Sequence, residues 1–355
     1  MRTILVLMFI SFSILKSSGT AGQQVFAWTT LPPLPDQEGF AGMFAGVSDA
    51  QLFCMGGANF PGKRPWQGGV KKWYSRIYRL DNTGTWTILV DTLPTPLAYG
   101  VSITYQNSIY IIGGNTDNVH TNKVYSYRWD GTKLLREECP PLPIPLANMA
   151  GSLVKSLVIV AGGSTSPTNK PIKKVFALDL NSIKKGWFEM PAWPGPERSY
   201  PTCAVIENTF YLLSGERIGT NHKGEKFRYI LQDAYSFTVK RENGKWTGKW
   251  KAIAPLPKGA AAAGNPSPVL GDGRILISGG VDALTALHTD QPTHPGINTN
   301  LQVYNPADDS WQLIINRDTS GARVTLPIVN WNKRWVFVSG EVKPGIRTNT
   351  VVSVN

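Results

Sequence analysis

The chain has 355 residues, 42% of them hydrophobic and only 17% charged, with Gly 35, Pro 26 and Trp 12. That is apolar material for a large core, and the glycine, proline and tryptophan usage excludes a helix-dominated fold in favour of short strands and turns. The formal charge of +12 comes from Lys and Arg scattered along the chain, which argues against a nucleic-acid-binding stripe and for a solubilising surface or a small anionic ligand.

The first element is "MRTILVLMFISFSILKSSGTAG" (1–22): one early Arg2, an apolar run, then small residues. It reads as a signal peptide cleaved near Ala21, too short for a membrane span. Its loss would remove Arg2 and Lys16 and leave a charge of +10. No later segment approaches spanning length, so the expectation is an exported, soluble protein with no membrane insertion. Cys54, Cys139 and Cys203 are few and odd in number for such a protein. Cys54 and Cys203 lie in apolar runs and read as buried free thiols, and the spacing of the three suits no metal site.

A strand-like stretch follows, "VFAWTTLPPLP" (25–35), with no partner strands of its own. Then one pattern recurs six times: a turn with Pro, small residues, an apolar run and a Gly pair or its variant. The runs are "LFCMGG" (52–57), "IYIIGG" (109–114), "LVIVAGG" (157–163), "FYLLSGE" (210–216), "ILISGG" (275–280) and "WVFVSGE" (335–341). Their glycine endings step by 57, 49, 52, 65 and 60 residues. A period near 50 with a strand ending in Gly-Gly is the kelch pattern, in which each repeat is one four-stranded propeller blade.

After each glycine ending come a variable loop and an alternating strand, as in "SRIYRLD" (75–81), "NKVYSYRW" (122–129) and "TNLQVYNP" (299–306). A Trp-bearing strand then closes several units: "TWTIL" (85–89), "GWFEMP" (186–191), "KWKAIAPLP" (249–257) and "SWQLI" (310–314). The sixth unit ends at "TNTVVSVN" without one. The spare N-terminal strand supplies it, so the chain is expected to form one all-β domain over 23–355. That domain is a six-bladed kelch-type β-propeller whose N-terminal strand closes the last blade.

Candidate chemistry lies in the loops at the glycine endings. The long first loop, "ANFPGKRPWQGGVKKWYS" (58–75), combines Trp with Lys and suits either a sugar acid or plain solvation. Glu216 in "SGERIG" is either a second acid/base group or a carboxylate satisfied by Arg217. His288 and His294, in the loop 281–299, show no carboxylate–His spacing of a familiar metal site, so no metal is expected. In "VFVSGEVKPGIRT" (336–348), Lys343-Pro344-Gly345-Ile346 suits a type II turn that brings Arg347 back toward Glu341. The residues alone fit a surface ion pair as well as a site. No nucleophile elbow, phosphate loop or dinucleotide fingerprint is present, and no cofactor is expected.

Three stretches carry a resemblance: "EGFAGMFAGVSDAQLFCMGGANFPGKRP…GGVKKWYS", "AYGVSI…NSIYIIGG" and "GEVKPGIRT", with a weaker one at "PGPERSYPTCAVIENTFYLLSG" (194–215). They resemble the bacterial sialic acid mutarotases, or N-acetylneuraminate epimerases, which are six-bladed kelch propellers of the periplasm. The enterobacterial members carry a "GEAKPGLR" blade mid-chain with the "GFAG" blade directly after it. Here the first is last and the second is first, so the sequence looks like the cyclically permuted branch of the family. A closed ring makes the two blades neighbours again.

The resemblance implies interconversion of the α and β anomers of sialic acid, with Glu341 as proton acceptor and Arg347 as the site arginine. It also implies binding roles for Arg198, Lys71, Lys72 and Tyr74. The family's arginine before "AYGVS" is Leu97 here, a departure that bears on the arginine contact from that blade. Two other readings stay open: a non-catalytic carbohydrate-binding propeller, and a mutarotase of another acidic sugar.

Overall fold

The computed structural model describes residues 26–355, so the signal-peptide reading lies outside the described residues. Six sheets surround a central channel. Blades 1 to 4 are four-stranded, at 44–92, 101–139, 150–190 and 202–253, each running from the channel outward as an antiparallel meander. Blade 6 is built from Ile328–Trp331, Arg334–Val338 and Val351–Val354, with Thr29–Leu31 added as its outer strand. That last pairing is antiparallel, in the register Thr29↔Ser353, Thr30↔Val352 and Leu31↔Val351. The N-terminal strand therefore closes the ring, as its spare position in the repeat count required.

Blade 5 departs from the expected regularity. Only three strands form a ladder, Ile275–Ser278, Leu301–Asn305 and Ser310–Ile314. The innermost place is taken by "NPSPVL" (265–270), where Pro266 and Pro268 have no N–H to give a ladder. The segment is tied in singly instead, through Ser267 N to the Cys203 carbonyl (2.7 Å) and Leu276 N to the Pro268 carbonyl (2.9 Å).

The core is divided among the joints. Six apolar clusters each combine side chains of two adjacent blades, among them Phe44 and Phe53 with Tyr127 and Trp129 between blades 1 and 2. Between blades 6 and 1, Val336 and Val338 pack with Leu52 and Cys54. No blade buries both faces without two neighbours, so the ring is the unit of stability. The outer-strand tryptophans stitch the same joints. The indole N–H of Trp86, Trp187, Trp250 and Trp311 donates to the carbonyl of Pro32, Pro140, Pro191 and Ala254 on the preceding blade, at 2.6–2.9 Å. Cys54, Cys139 and Cys203 are buried free thiols.

Around the channel mouth six residues, one per blade, form a closed circle of backbone hydrogen bonds. Tyr99 N donates to Gly42 O, Asn148 N to Tyr99 O, Tyr200 N to Asn148 O, Ala262 N to Tyr200 O, Thr325 N to Ala262 O and Gly42 N to Thr325 O, at 2.6–2.9 Å. All six have positive φ, between +52° and +66°. The glycine endings explain themselves at the same level. A Cβ on Gly56 would stand 2.3 Å from the Leu97 carbonyl oxygen of the next blade. Ser214 and Ser339 hold the equivalent place in blades 4 and 6, and there the hydroxyl accepts the N–H of Ala260 or Phe40 across the joint, both at 2.7 Å. Among the described residues no helix is long and apolar enough to cross a membrane.

Candidate active site

The residue after each glycine ending bridges, antiparallel, to the residue just before the channel circle. The pairs are Ala41↔Ala58, Ala98↔Asn115, Ala147↔Ser164, Ser199↔Glu216, Ala261↔Val281 and Val324↔Glu341. Glu216 and Glu341 thus occupy one register in blades 4 and 6. Each is fixed by two backbone bonds; for Glu341 they run to and from Val324, both at 2.9 Å.

Beyond Glu341 the chain makes a hairpin, Glu341–Lys343 against Ile346–Arg347, with Glu341 directly opposite Arg347. Pro344 and Gly345 turn it, and Gly345 has the positive φ (+78°) that a type II turn needs at that position. Arg347 Nη2 lies 2.8 Å from Glu341 Oε2. The guanidinium also sits over the Phe60 ring, 4.8 Å from its centroid. Its Nε and Nη1 are buried and, among the described residues, have no hydrogen-bond partner. Three of the five guanidinium N–H groups belong to those two nitrogens, and leaving them unmatched is costly unless an acceptor arrives.

The pair faces a cavity of about 510 Å³ whose wall includes Lys71, Tyr99, Tyr200, Glu216, Arg228 and His294. Burial pushes the Glu341 carboxyl above its ordinary value, and the charges of Arg347 and Lys71 oppose that shift. Glu216 is buried and takes two bonds from Arg228, at 3.0 Å from Nε and 2.5 Å from Nη2. Its partner is therefore Arg228 across the hairpin 216–230, not the adjacent Arg217, which stacks on Tyr229 at 4.6 Å. The blade 5 loop borders the cavity with a short helix, Ala283–Leu287, and with His288 and His294. Burial holds His294 below the ordinary histidine value, helped by His288 and Lys343. Among the described residues no three His, Cys, Asp or Glu side chains cluster as a metal site would require.

Three of the residues expected from the sequence come together here: Glu341, Arg347 and Lys71. Three do not. Lys71 and Lys72 enter a strand, so successive side chains take opposite faces. Lys71 Nζ lies over Tyr99 (4.2 Å) and Trp73 (4.8 Å), inside the cavity wall. Lys72 points the other way, over Tyr74 (5.3 Å), and the Tyr74 hydroxyl donates to Asn59 Oδ1 (2.9 Å). Arg198 is fully buried inside blade 4, where Nη1 donates to Ser214 O (2.8 Å) and Nη2 pairs with Asp233 (2.7 Å). Arg323 repeats that arrangement in blade 6, donating to Ser339 O and Thr350 O. An arginine two residues before the channel circle braces its blade; Leu97 holds that register in blade 2 as a buried apolar residue.

Sequence reasoning missed Tyr99, Tyr200 and Arg228. The tyrosines had a signal, since both stand at the repeating circle position; Arg228 sits in a variable loop and had none.

A family model described as N-acetylneuraminate epimerase matches residues 15–135 and 139–286. The chain belongs to the N-acetylneuraminate epimerase family. An N-acetylneuraminate epimerase of Haemophilus influenzae is 38% identical over 125 residues, 31% of this chain and 33% of that protein. One from Yersinia pestis is 40% identical over 240 residues, 61% of this chain and 57% of the relative. The chain thus spans between about a quarter and somewhat over half of the length of the curated relatives it matches. A solved structure titled "Structure of YjhT" superposes with a TM-score of 0.65, covering 92% of this chain and 99% of that one at 15% identity, which speaks for the fold alone. The family match ends at residue 286, before the blade that carries Glu341 and Arg347. In the closed ring that blade adjoins blade 1, where Phe60 and Lys71 meet its hairpin.

Proposed function

We propose that the protein is a mutarotase that interconverts the α and β anomers of N-acetylneuraminate by opening and reclosing its hemiketal ring. The observation that carries the reading is Arg347: a buried cation, tied at one nitrogen to Glu341 and unmatched at two others, in a cavity that also holds Lys71 and Arg228. Such a centre fits an anionic ligand, and sialic acid carries its carboxylate on the anomeric carbon that reacts.

Arg347 holds the carboxylate through its planar fork. That hold places the anomeric hydroxyl beside Glu341, whose carboxylate removes its proton. The bond from the anomeric carbon to the ring oxygen breaks and leaves a ketone. The ring oxygen takes up a proton, the keto carbon rotates, and closure on its other face returns each proton. Every step moves protons only. The raised carboxyl of Glu341 makes it a stronger base than an exposed glutamate.

We place this activity outside the inner membrane, in the periplasm, on the strength of the apolar N-terminal run (1–22). The test is to follow α-to-β conversion of sialic acid by NMR with and without protein, subtracting the spontaneous rate. Conversion at the spontaneous rate, with sialic acid still bound, would leave a carbohydrate-binding propeller instead.

A further inference from the structure

The proposed reaction leaves one group unassigned, the donor that protonates the departing ring oxygen. The fold requires a left-handed backbone at the circle position of every blade. Gly42 and Asn148 meet that requirement cheaply; a tyrosine does not, yet Tyr99 and Tyr200 stand there at φ +60° and +52°. The two differ in what covers them. Lys71 Nζ lies on the Tyr99 ring at 4.2 Å. Both tyrosines line the cavity and the narrow channel beneath it, and among the described residues neither hydroxyl has a hydrogen-bond partner. What separates them is the ammonium on Tyr99, which has no counterpart on Tyr200 among the described residues.

We propose that Tyr200 is the acid of this site, delivering its phenolic proton to the ring oxygen as Glu341 opens the hemiketal. The inference rests on the mutarotase reading above. The phenol lies within electrostatic reach of Glu341, Glu216, Arg228 and Tyr99, and burial keeps it above the ordinary tyrosine value, hence protonated and able to donate. His294 is unsuited to the task. Its Nδ1 accepts from Gly296 N (3.0 Å) and its Nε2 is held by the Thr285 carbonyl (3.2 Å). Tyr200, by contrast, is anchored through both backbone groups and free at its tip.

The protons balance. On opening, the anomeric hydroxyl gives its proton to Glu341, the bonding pair goes to the ring oxygen, and Tyr200 protonates it. On closing, the hydroxyl so formed returns its proton to the Tyr200 phenolate and attacks the ketone from the other face. The new anomeric oxygen takes its proton back from Glu341.

The test is Tyr200→Phe, with anomerisation measured by NMR across sialic acid concentration and buffer-acid concentration. We expect kcat to fall by about 10²-fold with KM within about twofold. We also expect the remaining rate to rise with added phosphate monoanion, which does not accelerate the wild type beyond its spontaneous background. If Tyr200→Phe keeps kcat within threefold, or if phosphate fails to rescue it, Tyr200 is not the acid. Should Tyr200→Phe not fold, difluorotyrosine at 200 keeps the ring shape and lowers the phenol's pKa. The kcat profile must then gain an alkaline limb absent from wild type, and an unchanged profile overturns the proposal. An inactive wild type defeats the mutarotase reading and this proposal together, whereas active wild type with active Tyr200→Phe defeats only the latter.

Discussion

At the scale of the residue, Glu341 and Arg347 make separable predictions. Glu341→Gln preserves shape and removes the base, so kcat should fall by about 10²–10⁴-fold while sialic acid still binds by calorimetry. Arg347→Lys keeps a positive charge but loses the fork, so its effect should fall chiefly on KM. The pH dependence follows from burial. The folded carboxyl of Glu341 is raised, so kcat should drop as pH falls through a value above that of an exposed glutamate, about 4.3. The stability sign is opposite: any contribution from this group is complete below the unfolded carboxyl's pKa and is lost as pH rises through the folded value. An acid limb at the position of an ordinary glutamate would remove the base assignment. The pairing of Glu341 with Arg347 was legible in the sequence because a two-residue turn joins them. Lys72, Tyr74 and Arg198 were misplaced because the motif says which residues are present and not which face they take. Arg228 was illegible, since only the pairing across the 216–230 hairpin brings it to Glu216.

At the scale of the element, the decisive unit is the hairpin at 341–347. Gly345 lies at φ +78°, and a Cβ there would come within 2.7 Å of Pro65 on the blade 1 loop. Gly345→Ala therefore adds about 1–2 kcal/mol of backbone strain as well as a clash, and the turn must shift. Because Glu341 is pinned to Val324 while Arg347 follows the turn, the ion pair should loosen. We expect kcat/KM to fall about tenfold with Tm down by only about 2–4 °C. A large Tm loss would mean that the hairpin carries the blade rather than the site. The strands themselves were readable from alternation and glycine endings. Blade 5 was not fully readable, because its inner segment has the right position but two prolines that forbid the ladder.

For the whole molecule, closure dominates. Six shared cores mean that one open joint exposes apolar faces on two blades at once. Removing residues through Leu31 deletes the outer strand of blade 6, along with Phe26 and Trp28 that pack beside it. We expect such a truncation to melt at least about 10 °C lower, or not to fold; an unchanged Tm by calorimetry would contradict the closure described here. The count of units made this joint visible in the sequence, since one strand was missing at one end and spare at the other. The chemistry makes a further demand at this scale. Hemiketal opening transfers protons alone, so activity should survive exhaustive dialysis against EDTA, and recovery only on adding a metal would refute the mechanism.

The circle of six amides at the channel mouth has a consequence for how such a site can change. Its diameter is set by peptide geometry, each N–H spoken for by the carbonyl of the preceding blade, from Gly42 round to Thr325. Side chains hang from this frame and do not define it. Exchanging one therefore repaints the wall of the bore without altering its gauge, and Gly42, Tyr99, Asn148, Tyr200, Ala262 and Thr325 already show how different the paint can be. Glu341 hangs one peptide away, on Val324, so its distance from the axis is inherited from all six blades together. Selection on this scaffold can trial new chemistry residue by residue, with the spacing between facing groups conserved by the ring itself.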